Sequence, residues 1–245
     1  MAISRITGVT ATATNAGATT LNYDEALLLT NDLILVAWSC GDDDFTQPTL
    51  AMTTGGYTEL TASTLSVDGG TAGDGNLAIF YKYFVPGDVS AVTAASGTGA
   101  DSSNATACQV FRGVATVAQG GPLEIAIATA SGASGGDPNP PSVTGFTEAT
   151  SAIVIACAMS VATAPLTLTA PTNYTTNFMT AGATDTFSAT VGLAYRLTGA
   201  ADPEDPGVFV DSGAGAGWCA ATLVLKEAPA AVANPRLVIV TSGLP

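Results

Sequence analysis

Leu33-Ile34-Leu35-Val36-Ala37-Trp38-Ser39-Cys40 is a short, almost wholly apolar run that stops at Gly41-Asp42-Asp43-Asp44. A buried helix would run longer and repeat its apolar positions every three to four residues, whereas a buried strand needs only roughly four to eight such residues between turn signals. The run therefore reads as a β-strand. Working outward, Leu77-Ala78-Ile79-Phe80-Tyr81-Lys82-Tyr83-Phe84-Val85 behaves alike and ends at Pro86-Gly87-Asp88. Further runs cover 107–114, 123–128, 152–161, 189–197, 218–226 and 237–241. No helical pattern is interleaved, so the expected fold is all-β, an antiparallel β-sandwich of jelly-roll type with a C-terminal extension strand.

Composition removes whole classes of chemistry. The chain has 245 residues, no histidine, six Lys plus Arg, twenty Asp plus Glu and a net charge of −14. Imidazole proton shuttles, Ser-His or Cys-His nucleophile pairs and His-ligated zinc are disfavoured by inventory. Nucleic acid and anionic lipid are repelled, because phosphates demand clustered cations. Charged residues make up only 11% of the chain, against about 25% in an ordinary soluble domain. A neutral Thr/Ala/Gly surface of that kind suits contact with other protein. The length fits one sandwich domain over 1–228, followed by a Pro/Ala linker and arm over 229–245.

The first twenty residues lack the apolar core of a secretory signal, and no run approaches the roughly 18 apolar residues of a membrane span. Synthesis in a reducing cytoplasm is expected. Cys40, Cys108, Cys157 and Cys219 each lie in a strand-like run without CxxC spacing, so they read as buried, reduced thiols. The Gly/Ser/Asp-rich stretches 66–76, 94–104 and 130–142, the last with Asp137-Pro138-Asn139-Pro140-Pro141, read as tips or contact surfaces. After the linker, Arg236-Leu237-Val238-Ile239-Val240-Thr241 reads as a detached strand. Leu237, Val238, Ile239 and Val240 are its expected partner-binding residues, because such a strand frays unless it docks. Trp38-Ser39-Cys40 and Trp218-Cys219 share a flavour but do not establish an internal repeat.

Carboxylates are the one abundant chemical group. Asp202, Glu204, Asp205 and Asp211, around Pro203 and Pro206, are the foremost candidates for a loop calcium site, with Asp42 to Asp44, Asp68 and Asp74 behind them. None has EF-hand spacing, and the competing reading is a solvated acidic loop. No cofactor is otherwise expected. No facing pair of acids for glycoside hydrolysis is visible. Trp38, Trp218, Tyr57, Tyr81, Tyr83, Tyr174 and Tyr195 would have to line any sugar-stacking face. Trp38 and Trp218 read instead as core anchors, and Tyr174 as the exposed one. Arg112 and Arg196, late in their runs, are expected to pair with carboxylates at sheet ends.

The succession Leu77-Ala78-Ile79-Phe80-Tyr81-Lys82, Pro86-Gly87-Asp88, Cys108-Gln109-Val110-Phe111-Arg112-Gly113-Val114, Ala194-Tyr195-Arg196 and Trp218-Cys219-Ala220-Ala221-Thr222-Leu223-Val224-Leu225-Lys226 resembles β-sandwich structural proteins of tailed bacteriophage virions. The resemblance spans about residues 30 to 227 as an order of blocks. It implies a non-enzymatic virion component, a capsid decoration, head-fibre or tail-associated protein, oligomeric and packed on other virion proteins. It brings no active-site residues. The alternative is a carbohydrate-binding or host-adhesion module on the same sandwich, with loop-borne calcium and a host glycan as partner. A hydrolase ranks third.

Overall fold

The computed structural model describes residues 2–13, 18–41, 50–61, 65–67, 73–89, 91–96, 103–133, 136–147, 152–162, 165–174, 178–184, 187–197, 202–212 and 217–230. In chain order the first half carries β1 (Ser4–Ala13), β2 (Thr19–Asn22), β3 (Leu33–Cys40), β4 (Leu50–Met52), β5 (Thr58–Glu59), β6 (Leu65–Val67), β7 (Gly75–Tyr83), β8 (Ala91–Ser96) and β9 (Asn104–Arg112). The second half carries β10 (Ala128–Gly132), β11 (Ala152–Ala162), β12 (Leu168–Thr169), β13 (Met179–Ala183), β14 (Phe187–Arg196), β15 (Val210–Asp211) and β16 (Trp218–Leu225). All described pairings are antiparallel. The expected sandwich is the fold.

One large sheet has the order β1-β9-β3-β7-β5, with β6 also on β7, and the other β10-β16-β11-β14-β13. Numbering the long-sheet strands of each half from first to fifth, both orders are 1-5-2-4-3. Each sheet is thus wound from one half of the chain, whereas in a jelly roll the chain alternates between sheets. The sheets stack with β1 over β13 and β6 over β10. At one end Ala115 N–H donates to Lys226 O and Ala228 N–H to Gly113 O, so β9 and β16 finish side by side. Equal strand direction with reversed order relates the halves by an approximate two-fold axis along the strands. The two tryptophans are not counterparts, since Trp38 lies in a second strand and Trp218 in a fifth.

Burial explains why the strand runs are continuous rather than alternating. Leu33, Leu35 and Ala37 of β3 face Val154, Ala156 and Ala158 of β11 across the sandwich interior. The intervening Ile34, Val36 and Trp38 are just as buried, because the outer face is covered by the small sheet β2-β8-β4. Ile153, Ile155, Cys157 and Met159 of β11 are covered by Val143, Phe146, Leu168, Tyr174 and Phe209. Strands with both faces covered read as unbroken apolar runs.

The Pro-rich stretch expected as a contact surface is part of this cover. Phe209 N–H donates to Pro138 O at 2.9 Å and Asp211 N–H to Asp137 Oδ1 at 3.0 Å. Residues 137–143 thus lie beside β15 as β2 lies beside β8, and their prolines, lacking N–H groups, accept bonds but cannot build a ladder. The expected run 123–128 is mostly irregular, meeting β16 through the Leu123–Leu225 bridge and the Glu124 N–H to Val224 O bond before β10 begins. β1, whose Thr/Ala/Gly composition hid it, was not anticipated.

All four cysteines are buried in strands, and burial pushes the Cys108 and Cys219 thiols up to about 12 and Cys157 well above its usual value. Iodoacetamide at pH 8 is expected to leave the native protein unmodified and to label four thiols per chain after denaturation, counted by intact mass. Rapid native labelling would contradict this packing.

Candidate functional site

The five described cations all bond within the fold. At the ends of the fourth strands, Lys82 Nζ lies 2.8 Å from Asp88 Oδ1, and Arg196 Nη1 reaches Glu204 Oε1 and Oε2 at 2.9 and 3.1 Å. These are counterparts: Tyr81-Lys82 in β7 corresponds to Tyr195-Arg196 in β14, and the carboxylate follows in the next turn. Each half adds a tyrosine from the cover. Lys82 Nζ sits 5.9 Å from the Tyr57 ring centroid, and Tyr174 donates its OH to Glu204 Oε1 at 2.8 Å. Arg112, at the end of β9, holds Asp32 through Nε and Nη2 at 2.9 and 2.7 Å. The expected sheet-end pairing of Arg112 and Arg196 is therefore present. Lys226 Nζ donates to Gln119 O, and Arg5 Nη2 contacts Met179 Sδ.

The candidate calcium carboxylates do not converge. Both Asp202 oxygens accept Gly145 N–H at about 3 Å, and Asp205 Oδ1 accepts Gly207 N–H. Glu204 turns inward to its ion pair, and the backbone N–H of Asp211 donates to Asp137 Oδ1. Among the described residues no group of three or more His, Cys, Asp or Glu is placed to hold a metal ion. Asp42 to Asp44, Asp68 and the arm residues Leu237, Val238, Ile239 and Val240 lie outside the described residues. Asp74 is buried.

Tyr174 corrects the sequence reading: expected to be exposed, it is fully buried, because its ring fills the second cover and its OH is needed by Glu204. Trp38 is the expected core anchor, donating Nε1–H to Asn104 Oδ1 at 3.0 Å, and Trp218 is only partly buried. Tyr195 is buried, and Tyr81 packs edge-on against Tyr83 toward the interior. These rings do not assemble into an exposed stacking face.

What the surface does present is an apolar end. Leu27 and Leu29 precede β3, Val85 and Val89 follow β7, and Val117 lies in a short 3-10 turn after β9, all exposed. Their segments are tied together. Asn31 N–H donates to Phe84 O, Tyr23 OH to Val89 O, and Arg112 Nη2 to Leu27 O. A cavity of about 230 Å³ opens there, bounded by Leu29, Asn31, Arg112, Val114, Gln119 and Ala228. A second groove, of about 400 Å³, lies between Pro171 and Val208 on the other cover. The sequence reading missed the apolar end because its members are single residues in turns. Leu27 and Leu29 among Asp, Glu, Thr and Asn were the available signal. Comparisons with protein-family models, curated proteins and solved structures find no match for the chain.

Two expectations follow from the ion pairs and the buried phenols. Glu204 is buried, so Arg196→Met leaves a buried carboxylate unpaired and is expected to cost about 2–3 kcal/mol in urea unfolding, with Tyr174→Phe costing about 1–2 kcal/mol. Lys82→Met breaks a wetter pair and should cost under about 1 kcal/mol; equal costs for the two cation variants would refute the difference in burial. Burial also pushes Tyr23 from 10.0 up to about 12, and raises Tyr57, Tyr83 and Tyr174 further. Since the folded state holds these groups neutral above their unfolded values, their contribution is complete below pH 10 and is lost as pH rises through 12. Melting temperature should fall steeply above pH 10, together with the rise of tyrosinate absorbance at 295 nm.

Proposed function

We propose that this chain is a structural subunit of a bacteriophage virion, a capsid decoration, head-fibre or tail-associated protein that acts by packing against other virion proteins and catalyses nothing. The observation that carries the reading is the exposed apolar end formed by Leu27, Leu29, Val85, Val89 and Val117. Exposed aliphatic side chains gathered at one end of an acidic protein are costly in water, and such a surface suits cover by another protein. The described cations support the same reading, since all bond inside the fold and present no basic patch to phosphates. The order of strand blocks supplies the phage context. In this role the C-terminal arm, through Leu237, Val238, Ile239 and Val240, joins the subunit to its lattice.

Deleting residues 229–245 is expected to leave a folded sandwich whose melting temperature moves by no more than a degree or two, and to abolish its recovery with purified particles. The sandwich should be visible in an electron-microscopy map of particles carrying the full chain and missing from particles made with the truncation. Retention of the truncated chain at normal occupancy would refute the arm's role.

A further inference from the structure

We propose that the interior of the sandwich is a two-fold protomer interface enclosed in one chain, and that each half takes the other as its partner without needing the covalent link between them. In a two-fold dimer the same patch serves both subunits, so that if residue i of one meets j of the other, j meets i in return. Contacts at both ends of the sandwich keep this rule. A single sequence offset carries Tyr81-Lys82 onto Tyr195-Arg196 and Val110-Phe111-Arg112 onto Val224-Leu225-Lys226. By that offset Ser103 corresponds to Gly217 and Gly73 to Phe187. Ser103 Oγ donates to Phe187 O at 2.8 Å, and Gly217 N–H donates to Gly73 O at 3.2 Å. At the opposite end Gly113 corresponds to Glu227 and Val114 to Ala228. Val114 bridges to Glu227, and Ala228 N–H donates to Gly113 O at 2.8 Å. Register agrees within the sheets as well. Val36 of β3 lies between Phe80 of β7 and Cys108 of β9, and Ile155 of β11 lies between Ala194 of β14 and Thr222 of β16, the counterparts of Phe80 and Cys108 under the same offset.

Among the described residues each half is also self-contained. Each large sheet and each cover sheet draws its strands from one half alone, and the inner face is what remains to be covered. Leu35, Ala37 and Ile79 of the first half meet that need with Val154, Ala156 and Leu193 of the second. Obligate dimers bury an apolar surface of this kind, resembling a domain core cut in two. The link stands outside that core. Residues 117–120 are exposed, and a side chain at Gly121 would enter open space. Immediately beyond, Pro122 O accepts Lys226 N–H and Glu124 N–H donates to Val224 O, so the chain has already joined the second sheet. The boundary between the protomers therefore falls at Gly120-Gly121. Covalent continuity there raises the concentration of one half around the other, while recognition lies in the two faces.

The test inserts a recognition sequence for a site-specific protease between Gly120 and Gly121 of the full chain, since lengthening an exposed turn costs little. After cleavage the two pieces should stay together at micromolar concentration, with the same mass by light scattering and the same near-ultraviolet circular dichroism as the uncleaved chain. Unfolding then also separates two chains, so hundredfold dilution should lower the melting temperature by about 5 °C more than it does for the uncleaved chain. Pieces parted in urea and mixed one-to-one should regain the spectrum. Pieces that drift apart on cleavage, or that do not recover on mixing under conditions where the uncleaved chain refolds, overturn the inference. Production of residues 1–120 and 121–245 as two chains in one cell tests it without any insertion. A tag on the first should retain the second in equal amount, and its loss overturns the inference equally.

Discussion

Every layer of this molecule answers one constraint: the central strands are apolar on both faces, so neither large sheet can end at water. Packing the sheets together satisfies Leu35 and Val154 but leaves Val36 and Ile155 uncovered. Each half must therefore spend its connections on a cover, β2, β4 and β8 in the first and β12, β15 and residues 137–146 in the second. At roughly 25 cal/mol per Å² of apolar surface removed from water, that second burial adds its own driving force to that of the sandwich core. The ion pairs and tyrosines at the strand ends gain their meaning from it. Tyr174 belongs to a cover, Arg196 to a central strand and Glu204 to the turn between, so one buried cluster fastens layer to layer.

That arrangement also accounts for how the described ion pairs are used. The five described cations and the buried carboxylates Asp32 and Glu204 are engaged within the fold. Carboxylates that face a backbone N–H, as Asp202 does, shape loops. These charged groups face the protein itself. The exposed apolar end is the exception to this inward economy.

Much of the fold was legible because burial on two sides leaves an unmistakable trace: β3, β7, β9, β11, β14 and β16 are each a dense apolar run. β1 was not, since an edge strand of Thr, Gly, Val and Ala is half-exposed and resembles a loop in composition. The cover strands were hidden for another reason. β12 and β15 span only two residues each and β4 three, too few for any periodicity, and 137–143 uses proline. The duplicated winding was illegible because the conspicuous residues misled. Tryptophan drew the eye to Trp38 and Trp218, while the true correspondence lies in Tyr81-Lys82 with Tyr195-Arg196 and Val110-Phe111-Arg112 with Val224-Leu225-Lys226, ordinary strand residues whose roles only three dimensions reveal.

The two halves agree in winding and differ at their shared end, and that difference gives the molecule a direction. After β7 the turn Val85-Pro86-Gly87-Asp88-Val89 exposes two valines, whereas the corresponding region after β14 contains Asp202-Pro203-Glu204-Asp205-Pro206. Ahead of β3 stand the exposed Leu27 and Leu29, and ahead of β11 the exposed Thr144, Gly145 and Thr147. A fully symmetric pair of halves would have offered two equivalent apolar ends and favoured self-complementary pairing. At this end the exposed large apolar residues belong to the first half, and the described part of the second half finishes beside them, with Ala228 N–H donating to Gly113 O. The asymmetry arises from turn residues alone, without any change to the sheets that carry them.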